Sequence, residues 1–457
     1  VPNPPAPGGN PYRQILRRYV PEPLLALLIF IMGIWLWDNH FGPAAGYDLE
    51  TCRMTLLKTD RNLRLANGAA GLPAPICRAL AIQPLDDALQ SAEKDLTLLG
   101  KQKALDDEGV YALTVVHFLR KAGNPAAAPL PGLELPPPNP EDIARRVGTK
   151  DGKWWDTPYL EGVQALGGPA LLTGDLYAAT ADQNHRLVKR AAIARGGILV
   201  LALMGVGFIP RTLRACQTAL RSRSRGYPGA WKPGLGIGIF LLSYLASIGF
   251  SLGIERLIHG PGDGSTPVIL TMPMLLGLDT AGRLLPALVA LGLLFRRGDH
   301  AISRLGLRKM PDVGLVLGMF ALLTAIDRLL RPTLGGLMVP DPTGGLTSTE
   351  AGAPGLAFMA ISACLAAPVT EEILYRGVLF QTLSNRFRVP AATILSALVF
   401  AVVHFYDAYG VASVGLFGVA SALCFRSRGA LSTSILLHVF YNSMIKFPEW
   451  IVYHAAL

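Results

Sequence analysis

Charged side chains are scarce in this chain. Asp, Glu, Lys and Arg supply 16% of its 457 residues, against about 25% in ordinary soluble domains. That scarcity excludes a solvated, ion-paired surface over most of the molecule. Cysteine is scarce too: five residues, none at metal-ligand spacing, which excludes a zinc-stapled or disulfide-dense scaffold. No His-Glu-x-x-His run is present, so the most legible sign of a helical zinc protease is missing. No internal repeat and no lipidation signal is found. Apolar residues, by contrast, reach 51% of the chain and the mean hydropathy is +0.37. Long apolar runs of this kind belong to multi-pass membrane proteins. The net charge of +10 invites a nucleic-acid reading. The basic residues, however, gather at the ends of apolar runs, where the positive-inside rule puts them. No nucleic-acid partner is expected.

Residues 1–21 are rich in Pro and Gly at their start and read as a disordered cytoplasmic tail. Residues 22–41 form the first apolar span, preceded by Arg13, Arg17 and Arg18 and closed by Trp35 and Trp37. It is too bulky for a cleaved signal peptide and reads as an uncleaved anchor with its N-terminal side in the cytoplasm. Residues 42–190 are mixed in polarity and read as a mainly helical, extracytoplasmic soluble insert. Within it, 86–100 has helical period, while "PLPGLELPPPNP" (129–140) reads as a stiff linker. Cys52 and Cys77 fall in this insert, where a disulfide and two free thiols are both open readings.

Residues 191–457 read as a multi-pass membrane domain. Spans are expected near 193–210, 234–253, 268–295, 312–330, 355–385, 390–407, 410–425 and 430–447. With the anchor this makes an all-α, polytopic membrane helix bundle of about nine transmembrane helices. Basic loops follow alternate spans: Arg211 to Lys232, Arg296 to Lys309, Arg386 with Arg388, and Arg426 with Arg428. These place the N-terminus inside and the C-terminus outside, with Arg328 and Arg331 in dissent. A bacterial inner (cytoplasmic) membrane is the expected location.

The apolar stretch "PVTEEILYRGVLF" (368–380) holds three ionisable groups. A charge at mid-bilayer costs about 2.5–3.5 kcal/mol on insertion scales. Three so close together must therefore face protein or a wet cavity. Glu372 and Arg376 are four apart in the favourable acid-first order, which predicts a brace on one helix face. Glu371 lies about 100° around the helix and has no basic neighbour at that spacing. Two histidines fall well inside later spans: His404, on the face of Phe400, and His438, on the face of Asn442. A lone intramembrane His is usually a packing residue. Two of them with an amide and an unpaired carboxylate make a candidate site. Burial among apolar groups strengthens a carboxylate as a base. Glu371 would take a proton from water, His404 would orient that water, and His438 with Asn442 would offer N–H donors to an oxyanion. That is peptide-bond hydrolysis without a covalent nucleophile.

The motifs E-E-x-x-x-R (371–376), F-x-x-x-H (400–404) and H-x-x-x-N (438–442) resemble, in this order, the CPBP family. This family comprises CAAX prenyl endopeptidases and bacteriocin-processing or immunity proteins, and is also called ABI. The resemblance covers roughly 355–447. It implies an intramembrane glutamic endopeptidase with no metal cofactor. It further implies Glu371 as general base, His404 as the water-positioning partner, and His438 with Asn442 at the oxyanion. Glu372 and Arg376 take supporting roles. Tyr375 stands where the family often shows Phe. Nothing in 42–190 resembles the family, so the substrate is expected only as a membrane-anchored peptide: a C-terminal sorting segment, a leader or a CAAX-like peptide.

Two other readings stay open. Glu371, His404 and His438 have the composition of a His₂Glu zinc site. Intramembrane ionisable residues also mark transporters, and a silent immunity scaffold needs none of the four groups. The remaining signatures are weaker. Ser251 in "GFSLG" sits in an apolar helix, not on a strand–turn–helix elbow. "GPGD" and "YD" occur in the wrong order for an aspartyl protease. Asp279 and Arg283, also four apart, read as a structural pair, and Asp327 reads as interfacial.

Overall fold

The computed structural model describes residues 31–33, 35, 49–101, 104–121, 123–124, 126, 138–222, 231–259, 270–294, 303–334, 352–404, 406 and 408–454. Among these, every regular element is a helix and no strand occurs. The tail 1–21, nearly all of the 22–41 anchor, most of the 129–140 linker, Asp263, Asp407, Arg223, Arg225, Arg296 and Arg297 lie outside the described residues. The chain divides into two compact units. Their described parts fall within Val1–Ala45, Ala202–Gly335 and Glu350–Ser443, and within Gly46–Leu201 and Met444–Leu457.

The second unit holds α1 (Leu49–Gly68), α2 (Ala74–Ala79), α3 (Leu85–Lys101), α4 (Asp107–Arg120), α5 (Pro140–Arg146), α6 (Asp156–Ala165) and most of α7 (Gly174–Val206). In α3 the spacing of Ala88, Leu89, Ala92, Leu96 and Leu99 gives one apolar stripe, and all five are buried. The stripe meets Leu56 and Leu63 of α1, Leu113 and Val116 of α4, and Trp155 and Leu160 at α6. Helix starts are fixed by side-chain oxygens. Asp106 accepts the Gly109 N–H at 2.8 Å ahead of α4, and Asn139 accepts the Glu141 N–H at 3.1 Å ahead of α5. Each cap contributes about 1 kcal/mol.

A buried ion pair crosses this core. Arg64 Nε lies 3.0 and 3.1 Å from the two Asp60 oxygens. The Arg64 Nη groups donate to Gln183 and to the Gly152 carbonyl. Asp60 also accepts the Trp154 N–H at 2.6 Å. The C-terminal π turn Trp450–His454 belongs to the same unit: Tyr453 is bonded by Arg61 and Arg195 and donates to Asn62. All five cysteines are free thiols. Cys52 packs against Asp106 and Cys77 against the Ala69 and Leu72 carbonyls, so the disulfide reading is not realised.

The first unit is the membrane domain. It contains α8 (Ile209–Arg221), α9 (Pro233–His259), α10 (Met272–Leu294) and α11 (Val313–Leu334). The helix α12 starts at Gly352–Ile361 and continues unbroken through Ser362–Ala366, Ala367–Glu371, Glu372–Phe380 and Gln381–Ser384. Next come α13 (Val389–Val402), α14 (Ala408–Arg428) and α15 (Leu431–Glu449), with the unit boundaries falling inside α7 and α15. Five described helices are long and apolar enough to cross a bilayer: α9, α10, α11, α12 and α14. A sixth is reached if α7 and α8, bent by 67°, count as one span. The protein is thus a multi-pass membrane protein, and the described residues do not confirm the count of nine spans expected from sequence. The 22–41 anchor lies almost entirely outside the described residues. The α13 helix has 14 residues and rises only about 21 Å, short of the roughly 30 Å apolar layer. The α15 helix is not among the qualifying helices and carries His438, Asn442, Lys446 and Glu449. Ser251 lies within α9, and Arg283 Nε meets Asp279 at 2.8 Å. Both agree with the structural readings given them above.

Candidate active site

The α12 helix alternates between α and π winding, with π segments at Ser362–Ala366 and Glu372–Phe380. Such π insertions are rare and concentrate at functional sites. Glu371 is the last residue of an α stretch and Glu372 the first of the longer π stretch. The two glutamates therefore leave the helix in different directions and meet different surroundings.

Glu372 is sealed, with its side chain 0% exposed. Arg376 Nη1 approaches it at 3.1 Å, an ion-pair contact rather than an aligned hydrogen bond. Ser421 Oγ of α14 donates to Glu372 Oε2 at 2.6 Å. The Nδ1 of His438, on α15, lies 2.9 Å from Glu372 Oε1. Arg376 also donates to the Gly418 carbonyl at 3.2 Å, and its guanidinium lies 4.4 Å from the centre of the Phe400 ring. This network supplies the compensation that a buried pair requires. It ties α12, α13, α14 and α15 to one point. The brace expected at Glu372–Arg376 is present, with Ser421 and the Gly418 carbonyl as members the sequence did not disclose. Their signal was faint: Gly415, Gly418 and Ser421 repeat small residues at helical spacing, the mark of a close helix contact. A Cβ on Gly418 would sit 3.0 Å from Ala397, so α13 and α14 can approach only because that position is Gly.

Glu371 is 25% exposed and has no Lys or Arg ion-pair partner among the described residues. What faces it is the other nitrogen of the same imidazole: His438 Nε2 lies 3.7 Å from Glu371 Oε2. His438 thus spends Nδ1–H on the sealed carboxylate and turns Nε2 toward the open one. Its ring packs on Phe417 at 4.6 Å and on Phe400 at 6.0 Å between centroids. His404 flanks the same Phe400 ring at 4.7 Å. Its Nδ1 lies 2.6 Å from the Phe400 carbonyl. A carbonyl only accepts, so Nδ1 carries the proton and Nε2 is left as the acceptor. Asn442 is placed differently from the other three. Its Nδ2 donates to the Ala363 carbonyl at 3.0 Å, in the first π turn of α12.

Outside the expected set, α9 contributes a second polar group. The Tyr244 hydroxyl is hydrogen-bonded to the Tyr375 hydroxyl, and Tyr375 stacks edge-on against Phe400 at 4.8 Å. Two tyrosines 131 positions apart carry no pairing signal in a single sequence. Among the described residues, no group of three His, Cys, Asp or Glu side chains has the arrangement of a metal site.

Residues 353–444 match the family model for type II CAAX prenyl endopeptidase Rce1-like proteins. No curated protein and no solved structure matches the chain. The matched stretch contains both glutamates, Arg376, both histidines and Asn442, and all but its last residue lies in the membrane unit. In this multi-pass membrane protein, the similarity to Rce1-like type II CAAX prenyl endopeptidases is thus carried by residues 353–444.

Proposed function

We propose that the protein is a metal-independent glutamic endopeptidase that cuts a membrane-anchored peptide. The observation that carries this reading is the division of labour between adjacent glutamates, one sealed by Arg376, Ser421 and His438, the other a quarter exposed. In the proposed reaction Glu371 takes a proton from water held against His404 Nε2. The hydroxide adds to the scissile carbonyl carbon. When doubly protonated, His438 keeps Nδ1–H on Glu372 and offers Nε2–H to the oxyanion, with Asn442 alongside. Collapse of the tetrahedral species breaks the C–N bond, and Glu371 returns its proton to the leaving amine. Glu372 and Arg376 hold His438 and take no part in the bond changes.

The substrate proposed is a C-terminal sorting segment, a leader or a CAAX-like peptide. The proposed setting is a bacterial inner membrane, with the N-terminal side in the cytoplasm and 42–190 outside. Supporting that orientation, Met444–Leu457 forms one compact unit with Gly46–Leu201, as expected when the insert and the C-terminal end share a side.

Glu371→Gln preserves size and most hydrogen bonding but removes the base. Loss of a general base costs about 10²–10⁴ in rate. Membrane-proteome comparison of cells carrying wild type or Glu371→Gln should reveal peptides that stay uncut in the variant. Identical cleavage profiles would overturn the reading. In the purified protein, cleavage should persist in EDTA and 1,10-phenanthroline, and its loss with restoration by zinc would favour a metal site instead.

A further inference from the structure

We infer that Tyr244, from outside the matched domain, is a catalytic residue of this peptidase: its hydroxyl donates a hydrogen bond to the oxyanion, positioned by Tyr375. The inference rests on the peptidase reading and adds a residue to it.

The helix contacts place Tyr244 at the correct level. At one end, Trp231 Nε1 donates to Thr382 Oγ1 at 2.7 Å. Gly236 of α9 lies so near that a Cβ there would meet Thr382 Oγ1 at 2.1 Å. Further along α9, Tyr244 meets Tyr375. Residue numbers rise on α9 while they fall on α12, so the helices run antiparallel, and Tyr244 arrives one turn from Glu371. Tyr375 and Glu371 are four apart and share a face of α12. Both tyrosine hydroxyls lie within the field of the Glu371 carboxylate. The Tyr375 ring, the Phe400 ring against it at 4.8 Å and His404 beyond at 4.7 Å form one continuous wall.

Proton counting supplies the function. Two phenols bring two O–H groups, and their mutual hydrogen bond uses one. Among the described residues neither hydroxyl has another hydrogen-bond partner. One donor is therefore left over. Tyr375 is 0% exposed, whereas Tyr244 is partly open. The inner phenol donates to the outer, and the outer phenol keeps its proton for whatever enters. This donor would join Asn442, which keeps one of its two Nδ2 protons after giving the other to the Ala363 carbonyl. A buried phenol with a spare O–H suits a developing negative charge better than a neutral carbonyl, so its benefit falls on the transition state.

The test uses the full chain in detergent or nanodiscs and a quenched-fluorescence prenylated peptide with a CAAX terminus. Tyr244→Phe should lower kcat about 10²-fold, the effect of removing one oxyanion donor, with KM and the thermal unfolding midpoint close to wild type. Tyr375→Phe, which keeps the ring but frees Tyr244 to turn, should lower kcat by a smaller factor. A packing role alone would lower the unfolding midpoint and leave kcat per folded molecule unchanged. A Tyr244→Phe enzyme with wild-type kcat, in a series where Glu371→Gln is inactive, overturns this inference and leaves the peptidase reading standing. If Tyr244→Phe does not fold, unchanged kcat in Tyr375→Phe overturns it. If wild type leaves this probe uncut, a peptide that accumulates in Glu371→Gln cells replaces it in the same series; if Glu371→Gln cuts normally, the peptidase reading falls and this inference with it.

Discussion

Each unit of the molecule buries one acid-first pair at i,i+4 spacing. Asp60–Arg64 lies in α1 of the second unit and Glu372–Arg376 in α12 of the membrane unit. Both pairs are nearly inaccessible, and both are compensated by hydrogen bonds from distant helices. The Asp60–Arg64 pair is closed on all sides by Gln183, the Gly152 carbonyl and the Trp154 N–H. The Glu372–Arg376 pair is as well sealed, but the residue before it is another glutamate that nothing seals. The comparison teaches that the buried ion pair is not itself the mark of chemistry. Such pairs fix geometry, often at no net gain in stability. The candidate for reaction is the carboxylate left unspent beside one.

The comparison breaks most readily at the two adjacent glutamates. Glu371→Gln is expected to abolish cleavage while leaving the fold intact. Glu372→Gln is expected to leave Arg376 without its anion and to cost about 3–5 kcal/mol. Thermal unfolding of the purified variants separates them, and equal midpoints would erase the distinction between brace and base. In the second unit, Asp60→Asn should destabilise by a somewhat smaller amount, about 3 kcal/mol, because the Gly152 carbonyl and Gln183 still accept from Arg64. Its kcat per folded molecule should match wild type. A fall in kcat would show that the Asp60–Arg64 pair is not merely structural. Ser421→Ala removes one charge-assisted hydrogen bond from Glu372 and should cost about 1.5–3 kcal/mol, together with a modest loss of activity as His438 loosens.

The smallest effect is a pH dependence confined to the second unit. Burial would raise the Glu93 carboxyl, but hydrogen bonds from His117 and Arg120 outweigh it and hold the group below its ordinary value. A carboxylate lowered by folding adds stability above its unfolded pKa of about 4.3. That contribution is lost as pH falls through the lower folded value. Glu93→Gln should therefore flatten the acid limb of the unfolding curve below about pH 4.3, and an unchanged limb would show that Glu93 carries no linkage.

Much of this was legible in the sequence because it is local. Apolar runs gave the membrane class, the period of 86–100 gave α3, and the spacing of Glu372 and Arg376 gave their contact, since helical neighbours at i,i+4 meet wherever the helix sits. His404 meets the Phe400 carbonyl for the same reason. Hydropathy alone does not fix the number of spans, because it cannot see that α13 stops at 14 residues. Nor can it see that α15 carries His438 and Asn442 toward α12.

Sequence alone therefore determined the helical membrane architecture, the Glu372–Arg376 brace and the identity of Glu371 as the unpaired carboxylate. Only tertiary structure decided that one imidazole is shared by both glutamates, that Ser421 closes the brace, that Asn442 donates to the Ala363 carbonyl, and that Tyr244 reaches Tyr375. Those contacts join helices far apart in the chain. Their specificity comes from close packing and from the need of every buried polar group for a partner, neither of which is written in local spacing.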